Sequence, residues 1–268
     1  MLRDDPMPAI RDELDEERSR APHKPGAEVV ISLKDVHLSF DEPILNGVTL
    51  EARKGETLMV AGESGSGKST ILKLILRLLL PDSGEIRVLD RDVIHLTFAE
   101  ALDLRRQIGV VFQNAALFDS LSIFENVAYP LRESRDHDEA EIERIVRERL
   151  DFVDLDADRV IQQLPSQLSG GMRKRVGIAR AIATDPAVVL YDEPTAGLDP
   201  ITVGTINDLI RKLQRELKVT SIVVTHDIRA GFRVAQYVNL LREGEIVFGG
   251  SPEEMVASDD KYIKAFLS

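Results

Sequence analysis

Residues Gly62-Glu63-Ser64-Gly65-Ser66-Gly67-Lys68-Ser69 combine small, turn-forming positions with one lysine and one terminal hydroxyl. An apolar run, Thr57 to Ala61, precedes them, and a helical pattern opens at Thr70 and runs to Leu76. Strand, glycine-rich loop and helix start, in that order, make a cradle for phosphate. Small side chains let the backbone wrap an anion, inward N–H groups bind it, and the helix dipole adds positive potential. In such a cradle Lys68 reaches the β- and γ-phosphates of a nucleotide and Ser69 ligates Mg²⁺. The plainer alternative is a Gly/Ser turn with a solvated lysine, and the flanking strand and helix speak against it.

Polar residues also follow three apolar runs directly. Gln113 comes after 107–112, Asp192-Glu193 after 187–191, and His226 after 220–225. In open α/β sheets, ligands bind at the carboxyl ends of the strands. Asp192 is suited to hold Mg²⁺ through water, and Glu193 to polarise an attacking water. Each residue has a structural alternative: a capping turn before Pro194 for the acidic pair, backbone capping for Gln113, a hydrogen-bonded structural role for His226, and core packing for Phe40. Leu168-Ser169-Gly170-Gly171-Met172 has no explanation as a core segment. Its glycines weaken a helix start but expose backbone N–H groups to an anion, and a second anion site is surplus to one nucleotide.

The elements that must position these residues alternate. Continuous apolar strands and amphipathic helices indicate an α/β fold with a mostly parallel sheet covered on both faces. Short strands over 29–33, 36–40 and 44–51 read as an antiparallel layer. Helical periodicity over 136–153, and again after residue 171 to about 183, marks a helical subdomain over about 114–183. Residues 1–27, rich in charge and proline, read as a disordered tail with a short helix over 9–19. The folded body spans 28–250, and short helices close the chain over 251–268. With 268 residues, a net charge of −12 and no cysteine, the chain is expected to be a cytoplasmic protein without disulfides or a nucleic-acid surface. The most apolar stretch, 71–80, carries Lys73 and Arg77 and is too short to span a bilayer.

Taken together, these motifs resemble those of the nucleotide-binding domains of ABC transporters, which are P-loop NTPases. Phe40 matches the adenine-stacking aromatic, residues 62–69 the Walker A loop with Thr70 beside it, and Gln113 the Q-loop. Residues 168–172 match the signature, 188–193 Walker B, 196–199 the D-loop ending at Asp199, and His226 the switch histidine. Met172 departs from the commoner Gln, and Phe40 from Tyr. The resemblance implies ATP and Mg²⁺, with Ser69, Gln113 and Asp192 toward the metal, and Glu193, His226, Gln113 and Lys68 in catalysis. It also implies a second copy of the chain, whose ATP is held by Ser169, Gly170 and Gly171.

A finer similarity covers Ala116 to Glu133 together with 169–175, to the ATPases of Mla-type and Mce-associated lipid transporters. It implies a separate membrane permease, an MCE-type lipid-binding protein, and a place on the cytoplasmic face of the inner membrane. Exposed apolar residues Leu117, Phe118 and Leu121 would receive the permease, or else pack the helical subdomain. Transport of another substrate is the nearest rival. A soluble ABC ATPase is disfavoured by the acidic charge, the absence of cysteine and the lack of a long coiled-coil insertion. A non-hydrolysing scaffold is disfavoured by the presence of Glu193 and His226.

Overall fold

The computed structural model describes residues 26–268. The expected tail and its short helix lie, up to residue 25, outside the described residues. In chain order the first elements are β1 (Val29–Ser39), β2 (Pro43–Arg53), β3 (Thr57–Ala61), α1 (Lys68–Ile75), β4 (Ser83–Val88) and β5 (Arg91–Asp92). They continue with α2 (Phe98–Arg106), β6 (Ile108–Val111), α3 (Ile123–Ser134), α4 (Glu139–Phe152), α5 (Ala157–Val160) and α6 (Gly170–Ala181). The chain closes with β7 (Val188–Asp192), α7 (Pro200–Leu217), β8 (Thr220–Thr225), α8 (Ile228–Phe232), β9 (Tyr237–Arg242), β10 (Glu245–Gly250), α9 (Pro252–Val256) and α10 (Lys261–Leu267). These elements fall into two compact units, residues 26–95 with 222–268, and residues 96–221.

In the first unit, β1 pairs antiparallel with β2 and β4, and β4 with β5. Alternation along β2 buries Leu45, Val48, Leu50 and Ala52 and leaves the intervening positions toward water, as a one-sided antiparallel sheet requires. The sequence reads as two short strands over 29–40, but the structure has one. Asp35 turns left-handed (φ 49) and shifts the register, while its N–H donates to Thr49 Oγ1 at 3.0 Å. The strand therefore kinks there without ending. β3 is buried at every position and runs parallel to β9, which pairs antiparallel with β10. Met59 and Ala61 of β3 and Val238 and Leu240 of β9 pack under α8, α9 and α10 through Phe232, Met255, Ile263 and Leu267.

In the second unit, β6 and β7 are parallel, in register from Ile108↔Val188 to Val111↔Tyr191. Helix α6 packs against α3, α4, α7 and β6. Three helices here are absent from the sequence reading: α2, α3 and the single turn α5. Helix α2 opens with a capping box in which Thr97 and Glu100 satisfy each other's backbone N–H. Helix α3 is capped by Ser122 and contains Pro130, which cannot donate to the carbonyl four residues back and so reads as a terminator.

Candidate nucleotide site

In the first unit the Walker A residues link β3 to α1. Gly67 is the N-cap of α1 at φ 101, and no side chain caps that end. A Cβ there would lie 2.8 Å from Leu45 Cδ2 and 3.0 Å from the Ile44 carbonyl, so both conformation and packing demand glycine. Lys68 is buried, and its ammonium donates to the carbonyls of Gly62 (2.8 Å) and Glu63 (2.7 Å). The cation is thus held over the loop. Gly62 is buried, Glu63, Ser64 and Gly65 are exposed, and Ser66, Ser69 and Thr70 are half-buried.

Phe40 stands just beyond β1 and is 65 % exposed, an uncommon place for a phenyl ring that packs no core. His226 follows β8 and is exposed. The next residue, Asp227, donates its N–H to Thr225 Oγ1 and caps α8 by accepting from Ala230 N–H, each at 3.0 Å. From α10, the Tyr262 hydroxyl donates to Glu63 Oε1 at 3.5 Å, and the Arg242 guanidinium lies 4.2 Å from the Tyr262 ring centroid.

The remaining motif residues belong to the second unit. Gln113 is exposed on the turn after β6. Ala115 and Ala116 then adopt left-handed conformations (φ 58 and 46), and the Arg180 guanidinium donates to both their carbonyls, at 2.7 and 2.8 Å. Ser169 caps α6, its hydroxyl accepting from Met172 N–H at 3.2 Å. Gly171 abuts α7: a Cβ there would fall 2.7 Å from Thr202 Cγ2. Asp199 caps α7, accepting from the N–H groups of Ile201 and Thr202 and, at 2.6 Å, from the Thr202 hydroxyl. That hydroxyl holds the carboxyl of Asp199 below the usual carboxylate range. The signature and the segment from Walker B to the D-loop therefore meet in one place.

Asp192 ends β7, and Glu193 follows in a left-handed conformation at φ 48. Lys174 of α6 is 5 % exposed and donates to the Glu193 carbonyl at 3.3 Å. Burial pushes its ammonium down to about 8, partly offset by the nearby Glu193 and Asp192 carboxylates. Sequence reasoning assigns no role to Lys174 or Arg180. The available signal is that two cations sit in a helix that the sheet and three other helices surround.

A groove of about 490 Å³ opens in the same unit, lined by Leu102, Phe112, Phe118, Tyr129, Pro130 and Arg180 among others. The rings of Phe118 and Tyr129 lie 5.0 Å apart, and the Arg180 guanidinium lies 5.9 Å from the Phe118 centroid. Of the apolar residues expected to be exposed here, Phe118 is, whereas Leu117 and Leu121 are half-buried. Asn126, fully buried on α3, fixes the loop. Its Oδ1 accepts from Phe118 N–H at 2.8 Å, and its Nδ2 lies 3.0–3.1 Å from the carbonyls of Phe118, Leu121 and Ser122.

Residues 45–196 match the family model described as ABC transporter. The chain belongs to the ABC transporter family. Among the relatives of this cassette is the intermembrane phospholipid transport system ATP-binding protein MlaF of Haemophilus influenzae, 39 % identical over 85 % of each chain. Another is a probable ribonucleotide transport ATP-binding protein of Mycobacterium leprae, 37 % identical over 90 % of this chain and 69 % of that one. The dimeric post-hydrolysis ATP-binding cassette MJ0796, bound to ADP and Pi, superposes with a TM-score of 0.76 at 34 % identity, over 83 % of this chain and 98 % of that one. The ABC cassette described here is an ATPase subunit with the P-loop NTPase fold. Among its described residues, no helix is long and apolar enough to cross a membrane.

Proposed function

We propose that this chain hydrolyses ATP to drive phospholipid movement through a separate permease and an MCE-type lipid-binding partner, bound peripherally at the cytoplasmic face of the inner membrane. The observation that carries the permease contact is the aromatic groove around Phe112, Phe118 and Tyr129, which buries too little of its own apolar surface. The lipid assignment is supported by the relative from Haemophilus influenzae, which covers most of both chains. The ribonucleotide naming of the mycobacterial relative favours a second reading, transport of another cargo by the same engine.

In the engine, Phe40 stacks the adenine and the 62–70 loop wraps the phosphates, with Lys68 as their cation. Ser69, Gln113 and Asp192 carry oxygen donors of the hard kind that Mg²⁺ takes and would be the residues to hold it, where it would neutralise phosphate charge. Glu193 orients and polarises the attacking water, and His226 stabilises the charge that develops on the γ-phosphate. A second copy supplies Ser169, Gly170, Gly171 and Asp199 to the same nucleotide, in a head-to-tail dimer. ATP favours the closed pair and hydrolysis releases it.

The test is detergent extraction of the tagged chain from its native cell, with mass spectrometry of co-purified proteins and lipids. A multi-span permease, a lipid-binding protein and enriched phospholipid are expected. A permease with a different binding protein would leave the transporter and remove the lipid. Purely soluble partners would overturn the transport reading itself.

A further inference from the structure

We propose that Lys174 is a positioning residue for hydrolysis, tying the signature helix to the peptide that aims Glu193. The inference rests on the reading of Glu193 as the base.

Lys174 lies three residues beyond Gly171 on α6, so its backbone is rigidly continuous with the groups that the proposed dimer places on the partner's nucleotide. Its side chain is buried, and its ammonium donates to the carbonyl of Glu193, 3.3 Å away. That carbonyl belongs to a residue at φ 48, a conformation that a glutamate adopts only when its surroundings impose it. The rotation of the same residue sets the direction of the carboxylate. The start of α6 also lies close to the stretch that follows Glu193: a Cβ on Gly170 would fall 3.9 Å from Leu198 Cδ2, and one on Gly171 2.7 Å from Thr202 Cγ2. A shift of the α6 N-terminus when the signature takes up the partner's phosphate is therefore delivered to Glu193 through Lys174. Each chain thereby makes the water-activating group on its own nucleotide responsive to the ligand on the other. A buried lysine held only for packing would show no such link to turnover.

The test compares Lys174→Met, Lys174→Gln and Lys174→Arg in the full chain, by steady-state ATPase, binding of a fluorescent ATP analogue and thermal midpoint. Lys174→Met is expected to lower kcat roughly 10- to 100-fold, the scale of a misplaced catalytic group, with KM and analogue affinity within about threefold. Lys174→Arg, which keeps the charge and a donor, is expected to restore kcat to within about threefold. Should the methionine variant not fold, Lys174→Gln carries the same expectation, with a smaller loss.

In a Glu193→Gln background, Lys174→Met is expected to leave the ATP-bound dimer fraction unchanged. Loss of that dimer would place Lys174 in nucleotide engagement and overturn the inference, as would unaltered kcat or a fall in affinity that accounts for the rate. Full turnover in the single Glu193→Gln variant would instead remove Glu193 as the base, whatever Lys174→Met does.

Discussion

Arg180 donates to the carbonyl of Ala115 at 2.7 Å and, through its other terminal nitrogen, to that of Ala116 at 2.8 Å. Two successive left-handed alanines cost about 1–2 kcal/mol each, and this fork holds them. Replacing Arg180 with Ala is expected to lower unfolding free energy by about 1–3 kcal/mol, read from denaturant midpoints. Under the proposed function, recovery of a permease should fall too, because the same side chain lines the groove. Arg180→Lys should restore only part of both, since a single ammonium lacks the planar fork. An unchanged midpoint would show that the turn holds itself.

Asn126 spends its amide on the backbone of the loop that presents Phe118. Asn126→Leu matches it in size and leaves these part-buried backbone groups without that partner. The expected loss is about 2–3 kcal/mol in chemical unfolding. Hydrogen exchange of residues 118–122 should rise in the variant. Exchange unchanged across that loop would refute the role.

Gly171→Ala places a methyl against Thr202. Overpacking of this kind is expected to lower stability by about 1–3 kcal/mol and to reduce ATPase turnover. Adding Thr202→Ser removes the methyl at fault and keeps the hydroxyl on Asp199. Stability should then return more fully than turnover if, as proposed, Gly171 also meets the partner's phosphate, which the alanine would still obstruct. Equal recovery of both would mean that the glycine serves packing alone.

Lys68 is preorganised over its loop by the carbonyls of Gly62 and Glu63. Lys68→Ala should weaken binding of a fluorescent ATP analogue roughly 10- to 100-fold, the value of one charge-assisted hydrogen bond of about 1.5–3 kcal/mol. Unaltered affinity would sink the phosphate-loop assignment.

Where the sequence carries a local rule, it was readable. The apolar run at 57–61, the glycine-rich turn after it and the helical periodicity over 136–153, seen as α4, all announce themselves by periodicity and turn chemistry. Helix α3 did not, because Pro130 contradicts a helix that its packing against α4 and α6 sustains. Helix α2 did carry a signal, Thr97 with Glu100, which weak amphipathicity conceals. At the site, residue types at strand ends and helix starts were legible, since their chemistry follows from side chain and spacing. Lys174, Arg180 and Asn126 were not. Their partners are main-chain carbonyls 19 to 65 residues away for the two cations and a neighbouring loop for the amide, and no side-chain pattern records a carbonyl.

Helix α6 braces two left-handed turns at once, through Lys174 at Glu193 and through Arg180 at Ala115 and Ala116. One rigid rod thus serves the Glu193 turn and the wall of the aromatic groove. If the proposed roles of Glu193 and the groove hold, redesigning this helix to alter partner preference would also change the hydrolysis rate, so a new contact at an unchanged tempo is better built from α2 and α3, on the groove's other walls.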